Sequence, residues 1–422
     1  MNKVLQIFKI PDLRRKILIV LLLLGVFRLL AAIPIPGVDA QRLEDFFSSN
    51  KLFGFLNIFS GGGLSNLSLV MLGVGPYITA VIVMQLLMIV FPKLKEAYYE
   101  EGAEGREKFN RISRYLTIPF AGLQGYGFLN LLVSRGAIAP LPLPAVIANV
   151  IVITAGTMLL VWIGEIISEY KLGNGISIII FSGIVAGLPR TIASSIASYT
   201  PEMLPTYIGF VILSVAVIAA VTHINEGERK VPVSYAKRVR GNKLYGGSAS
   251  YLPLKINQAG VIPIIFAISV LLFPQFISQM AALISSDLSL KLNEFVTNFF
   301  SNPVAYSMLY FLLVMLFTYF YTSITFDPDE ISRTLQQNGG FLPGIRPGSQ
   351  TTAVLKHIVH RITFFGAIFL GLVAILPNIT QGLTGIQTFS IGGAALLIVV
   401  AVALDIMKQL QSQLSVREYE QI

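Results

Sequence analysis

The sequence predicts an all-α polytopic membrane protein with ten transmembrane helices. Hydrophobic residues make up 54% of the chain and charged residues only 13%, with a mean hydropathy of +0.72. Soluble domains carry nearer a quarter charged. The apolar residues gather into ten stretches, approximately 17–36, 67–91, 115–133, 145–169, 175–188, 207–223, 258–277, 303–325, 362–377 and 388–407. The loops between them alternate in charge. Those on one face hold 25 of the 31 Lys and Arg residues, those on the other hold five, and Arg28 lies inside a stretch. A bilayer imposes this alternation, because cytoplasmic loops retain Lys and Arg.

A span needs roughly 20 apolar residues as a helix. Backbone groups in lipid must bond internally, which leaves helices or a closed barrel. Barrel strands are alternating segments of about 10 residues, and these runs are longer and continuously apolar, so they are helices. The N-terminal segment carries Lys3, Lys9, Arg14, Arg15 and Lys16 and is placed inside. Residues 37–66 set Arg42 and Lys51 against Asp39, Glu44 and Asp45: outside. Residues 92–114 hold Lys93, Lys95, Arg106, Lys108, Arg111 and Arg114: inside. The external loops 134–144, 189–206 and 278–302 hold one basic residue each, Arg135, Arg190 and Lys291, and 378–387 holds none. Lys171, the loops 224–257 and 326–361, and the tail with Lys408 and Arg417 are inside. Both ends are thus expected in the cytoplasm. The first run lacks an A-x-A-like end, so it reads as an uncleaved first span.

Net charge is +9, but the excess tracks sidedness and is no nucleic-acid signature. Cysteine is absent, which removes disulfides and thiolate metal sites. Loops 224–257 and 326–361 run to about 35 residues, against about 4–6 for most connections. They contain Lys237-Arg238-Val239-Arg240-Gly241 and Pro343-Gly344-Ile345-Arg346-Pro347-Gly348. Charged loops stiffened by Gly and Pro suit a docking surface, and equally suit plain topology signals. Two on one face favour docking.

Gly73-Val74-Gly75-Pro76 opens span two and Gly260-Val261-Ile262-Pro263 opens span seven, five spans later. The two elements thus occupy matching places in halves of opposite orientation. Inverted repeats are common in transport proteins, with the path at the repeat interface. Ionisable residues within spans mark coupling or conduction sites, and here Glu165, Glu169 and Asp405 lie near cytoplasmic ends while no span centre carries an acid. That argues against a proton- or sodium-coupled carrier. No G-x-x-x-x-G-K-[ST] phosphate loop occurs, so direct nucleotide use is not expected. His357 and His360 sit among basic residues without a nearby acid, and His223 at a span end, so no metal and no cofactor is expected. Serines near spans four and five lack a His or Lys partner, so an intramembrane protease is not expected either. On these residues three readings stand: a channel, an inverted-repeat secondary transporter of a small solute, and a structural scaffold.

Longer motifs carry a resemblance. Asn57-Ile58-Phe59-Ser60-Gly61-Gly62-Gly63-Leu64-Ser65 followed by Pro76-Tyr77-Ile78 resembles the plug and second helix of the SecY family. So do Gly173-Asn174-Gly175-Ile176-Ser177, Leu252-Pro253-Leu254-Lys255-Ile256-Asn257, and Phe341-Leu342-Pro343-Gly344-Ile345-Arg346-Pro347-Gly348. The family forms the protein-conducting channel of the bacterial plasma membrane, and the resemblance spans essentially the whole chain.

The resemblance implies two inverted halves, 1–205 with spans one to five and 206–422 with spans six to ten, around an hourglass pore. It implies a constriction of Ile78, Ile82, Ile180, Ile184, Ile265 and Ile398. The first two pairs are i, i+4 and share a helix face, and a narrow apolar ring repels water and ions. Taken singly, each of these isoleucines reads as packing or lipid-facing. Residues 56–66, with Asn57, Phe59, Ser60, Gly61, Gly62, Gly63, Leu64 and Ser65, are implied to be the plug. Gln85 and Asn257 are implied polar positions of a lateral gate, or else mere glue between static helices. Lys237, Arg238, Arg240, Lys243 and Arg346 are implied to dock the ribosome or the motor ATPase SecA. Asn242 interrupts a basic run that many relatives continue. SecE and SecG subunits, signal-bearing preproteins and membrane lipid complete the implied partners. The chain itself is expected to be no enzyme.

Overall fold

In the computed structural model each of the ten predicted spans contains a helix. The structure describes residues 10–35, 63–64, 66–134, 136, 138–197, 200–201, 204–235, 238–240, 243–245, 249–281, 286–384 and 392–420. The helices matching the spans are α1 (Pro11–Ala32), α2 (Gly75–Val90), α4 (Gly102–Ser134), α5 (Leu143–Glu169), α6 (Gly175–Ala197), α7 (Leu204–Glu226), α8 (Ile262–Ala281), α10 (Pro303–Thr325), α12 (Ser349–Thr384) and α13 (Gly392–Glu420). Three more lie between them: α3 (Pro92–Glu100), α9 (Ser286–Ser301) and α11 (Pro328–Gln337). Among the described residues six helices are long and apolar enough to cross a membrane, or seven if the bent pair α2–α3 is one span. Span candidates α6 and α8 fall short of that test, with apolar portions of only Gly175–Pro189 and Ile262–Leu271. Each contains an internal proline, Pro189 or Pro274.

Helix ends differ from the hydropathy limits. Helix α4 starts thirteen residues before span three, and α12 starts thirteen before span nine. A helix continues past the lipid boundary wherever nothing breaks it, and hydropathy cannot see that. Span two was expected from residue 67, but 66–74 form turns and α2 starts at Gly75-Pro76. Leu67, Val70 and Met71 are apolar because they are buried, not because they are helical.

The chain divides into two compact units. The first comprises Met1–Leu204, Ile268–Asn302 and Ile386–Ile422. One core here joins Ile35, Leu64, Leu67, Met71, Phe128, Leu129, Leu132 and Ile153. An antiparallel bridge, Pro34↔Ser68, ties the turns to the end of α1, with Ile35 N donating to Leu67 O at 2.8 Å. Helices α5 and α6 close on each other so tightly that a Cβ at Gly175 would collide with the Gly164 carbonyl. Their junction is capped by Asn174, whose Oδ1 accepts from Ile176 N at 3.0 Å, and by Ser168, whose Oγ accepts from Gly175 N at 2.8 Å. Helix α13 packs on α6, and Gln413 Nε2 donates to Lys171 O at 2.6 Å.

The second unit comprises Pro205–Ala267 and Pro303–Gly385. Helices α10 and α12 pack along their length, and Asn378 Nδ2 donates to Ser307 Oγ at 3.1 Å. Loop 224–257, expected only as a basic loop, is an antiparallel ribbon. Strands β1 (Glu228–Tyr235) and β4 (Ala249–Lys255) pair from Glu228↔Lys255 to Ser234↔Ala249. A tip hairpin follows, β2 (Arg238–Arg240) with β3 (Lys243–Tyr245). The short strand β5 (Gly340–Phe341), from the other long loop, adds to β1 through Ser234↔Phe341 and Tyr235↔Gly340. Among the described residues the five strands all lie in these loops, outside the spans.

Candidate functional site

The two long loops form one packed platform. Val231 and Val233, alternating on β1, turn inward with Leu254 against Leu342, Leu355 and Val359 of the second loop and α12. Alternation puts residues i and i+2 on one face of a strand, which turns Lys230 and Pro232 outward, and Arg229 at the start of the strand is exposed as well. Helix α11 is capped by Asp327, whose carboxylate accepts from Asp329 N at 2.9 Å. Ser332 Oγ donates to Gly348 O at 2.9 Å and fastens α11 to the turn before α12. Lys356 Nζ lies 2.9 Å from Asp329 Oδ2. That hydrogen bond holds the Asp329 carboxyl below its ordinary range, although both groups are more than half exposed and the pair adds little stability.

On this platform Arg346 is exposed. Its carbonyl accepts from Thr351 Oγ1 at 3.1 Å, so its backbone is fixed at the start of α12. Among the described residues its guanidinium has no ion-pair partner. Arg238, Arg240 and Lys243 are brought into the tip hairpin, with Arg240↔Lys243 as its closing pair. Lys237 lies outside the described residues. Arg238, Arg240 and Lys243 thus belong to the hairpin between β1 and β4, and Arg346 to the loop that adds β5 to β1.

The predicted constriction residues fall on helices of both units. In the first, Ile78 is half-buried on α2, and Ile82 (2% exposed) lies one turn further. Ile180 (1%) and Ile184 (3%) lie on α6, and Ile398 (0%) on α13, which packs against α6. Ile265 (7%) is buried at the start of α8 in the second unit. Of the plug positions, Gly63 and Leu64 are described and buried. Gly63 O accepts from Ser68 N at 2.8 Å and Leu64 O from Leu67 N at 3.0 Å. Asn57, Phe59, Ser60, Gly61, Gly62 and Ser65 lie outside the described residues.

Of the two predicted gate residues, Gln85 is half-buried on α2 and its Oε1 has no partner among the described residues. Asn257 is buried before α8. Its Nδ2 donates to Asn225 Oδ1 on α7 at 2.8 Å and to Gly260 O at 3.2 Å, while its Oδ1 has no partner among the described residues. Asn257 is therefore already tied within its own unit on one side.

Some polar contacts escaped the sequence reading. Arg114 donates to Glu165 at 2.7 Å, linking α4 and α5. Glu165 was noted as an acid in an apolar run, and such an acid requires a partner, but a separation of 51 residues hides which one. Gln124 Nε2 donates to Thr79 Oγ1 at 3.3 Å, a buried bond between α4 and α2. His360 stacks on Tyr319 with ring centroids 5.4 Å apart. Among the described residues no group of three or more metal-capable side chains converges.

Comparisons with known proteins place this architecture. The family model SecY matches residues 68–407. The protein translocase subunit SecY of Thermus thermophilus is 43% identical over 98% of this chain and 95% of its own length. That of Halalkalibacterium halodurans is 42% identical over 98% of both chains. Among solved structures, one described as a protein conducting channel aligns with a TM-score of 0.61 at 18% identity, covering 93% of this chain and 90% of its own. Sec61 in a canine ribosome-channel complex aligns with a TM-score of 0.58 at 19% identity, with the same coverage. The fold is that of these channels, and the chain belongs to the SecY family.

Proposed function

We propose that this chain is the gated, protein-conducting channel subunit of a bacterial plasma-membrane translocase, moving unfolded polypeptides across the membrane or sideways into it. The observation that carries the reading is family membership over nearly the whole chain, with translocase subunits as its relatives. Both termini face the cytoplasm in this reading, as the charge of the loops requires. The two inverted halves surround the pore.

At rest Ile78, Ile82, Ile180, Ile184, Ile265 and Ile398 close the path as an aliphatic ring. Five of them are buried to 7% exposure or less, four in the first unit and Ile265 in the second. Such a ring offers no fixed polar partner, so it widens around any polypeptide and repels water and ions when narrow. Residues 56–66 act as the plug. Gln85 and Asn257 line the lateral gate, each with a carbonyl oxygen that a further donor can satisfy. Interhelical hydrogen bonds in membranes average below about 1 kcal/mol, so a seam of this kind opens to an apolar signal sequence.

The chain carries no phosphate loop, and the energy for movement comes from partners rather than from catalysis by this subunit. SecA or the ribosome docks on the platform through Lys237, Arg238, Arg240, Lys243 and Arg346. SecE and SecG complete the complex. A small-solute transporter is not favoured, because the relatives are translocase subunits. Reconstitution with SecE, SecA and ATP in liposomes tests the reading: a signal-bearing preprotein should become protease-protected inside. Failure to move it, with the chain folded and inserted, would sink the proposal.

A further inference from the structure

Helix α9 lies in the external loop between α8 and α10, where a plain connection would suffice. Its positions 288, 292, 295, 296 and 299 are all apolar and fall within an arc of about 100°, the width of a buried helical stripe. Only part of this stripe is covered. Val296 is 6% exposed, and Phe299 is half-buried against Phe300 with ring centroids 5.8 Å apart. Phe295, at the other edge of the stripe, is 70% exposed. Lys291, Glu294 and Asn298 occupy the polar flank and are exposed.

Chain connectivity fixes where this helix can lie. Its last residue is separated by Asn302 alone from Pro303, the first residue of the spanning helix α10. Its first residue follows Ala281, the end of α8, by five Cα–Cα steps, which reach at most about 18 Å. The helix itself is about 24 Å long. It cannot stand upright on the surface with both ends held so close to the ends of two spans, and it must lean toward the membrane plane. The following helix α10 presents an exposed apolar stripe of Val304 (75%), Met308 (65%), Leu312 (51%) and Leu316 (60%) at i, i+4 spacing, as a lipid-facing side would.

The geometry points to α9 as an interfacial helix, seated in the outer headgroup layer of the bilayer with Phe295 as its anchor in the acyl boundary. The occupant of its open apolar edge is lipid. Amphipathic helices of this kind bury their apolar face roughly 5–10 Å into the boundary. An aromatic ring there contributes through its area, while the polar flank stays in water. The outer placement rests on the topology proposed above.

The test uses the full chain reconstituted with SecE. Trp162 is the single tryptophan, so the pair Trp162→Phe and Phe295→Trp places one reporter on α9. In liposomes of phosphatidylcholine brominated at shallow chain positions its emission should fall at least about twofold, and aqueous iodide should leave it almost unchanged, as expected for that depth. Quenching by iodide without quenching by brominated lipid overturns the proposal. So does protection from both, which would mean that protein covers the ring. Sidedness is read separately. The chain has no cysteine, so Glu294→Cys should react with a membrane-impermeant maleimide added to intact spheroplasts. Reaction only after lysis overturns the outer placement together with the topology, whereas external labelling with failed lipid quenching overturns the membrane seat alone.

Discussion

Leu355→Ala should loosen the cytoplasmic platform without disturbing the membrane helices. Leu355 is 0% exposed and sits where β1, β4 and the second loop meet the start of α12. Truncation removes its share of the packing and leaves a cavity among Val231, Val233, Leu254, Leu342 and Val359. Buried Leu→Ala changes cost about 2–5 kcal/mol. A cost of about 3 kcal/mol raises the population of the locally opened platform roughly a hundredfold. Trypsin reports that population when opening and closing are fast relative to cleavage. Arg229 and Lys230 lie in the paired strand β1, and Lys356 in α12, so cleavage at these sites requires opening. Their cleavage rates in proteoliposomes should rise by roughly that factor, up to the limit set by the platform's total stability. Circular dichroism of the helices should stay unchanged. Cleavage at the same rate as in the parent chain would refute the idea that the two loops share one core.

Arg346→Glu should impair partner-driven transport while the membrane complex remains intact by size exclusion; normal transport by this variant would remove Arg346 from docking. Replacing Ile82 with Ser should raise the resting ion conductance of reconstituted channels, and an unchanged conductance would count against its place in the constriction. Gly175→Val should abolish recovery of folded protein, because the added Cβ collides with the backbone of α5 at Gly164. Gly209→Ala, where an added Cβ meets nothing within 4 Å, should be tolerated or stabilise by up to about 1 kcal/mol. Equal recovery of the two variants, judged by monodisperse yield, would contradict the close packing of α5 on α6.

The membrane helices were legible because lipid demands long apolar runs, and charge in the loops set their direction. Their ends were not legible. Thirteen residues of α4 precede the apolar run, since Lys and Arg extend a helix in water as readily as Leu does in lipid. Residues 67–71 look like span two in a hydropathy reading because burial in the turns selects the same side chains as lipid does. The ribbon in loop 224–257 was masked by its basic residues: Val231 and Val233 on β1 and Leu252 and Leu254 on β4 carry the alternation, two residues per strand, too short a signal beside so much charge. Arg346 was singled out by motif, and its fixed backbone emerges only from Thr351 and the turn before α12. The isoleucines of the ring differ in no physical property from the many others, so their roles rest on motif position. Asn257 was read as polar glue or gate, and its bond to Asn225 across 32 residues had no signal in the sequence.

The central claim is that a polypeptide passes through the ring. With no native cysteine in the chain, a single cysteine at Ile82 or Ile184 can be paired with one cysteine in a stalled preprotein under mild oxidation. A disulfide should form at both positions and not at Ile212, which is 64% exposed on α7. Crosslinking at Ile212 as strong as at Ile82, or none at Ile82 and Ile184 with a stalled chain present, would contradict it.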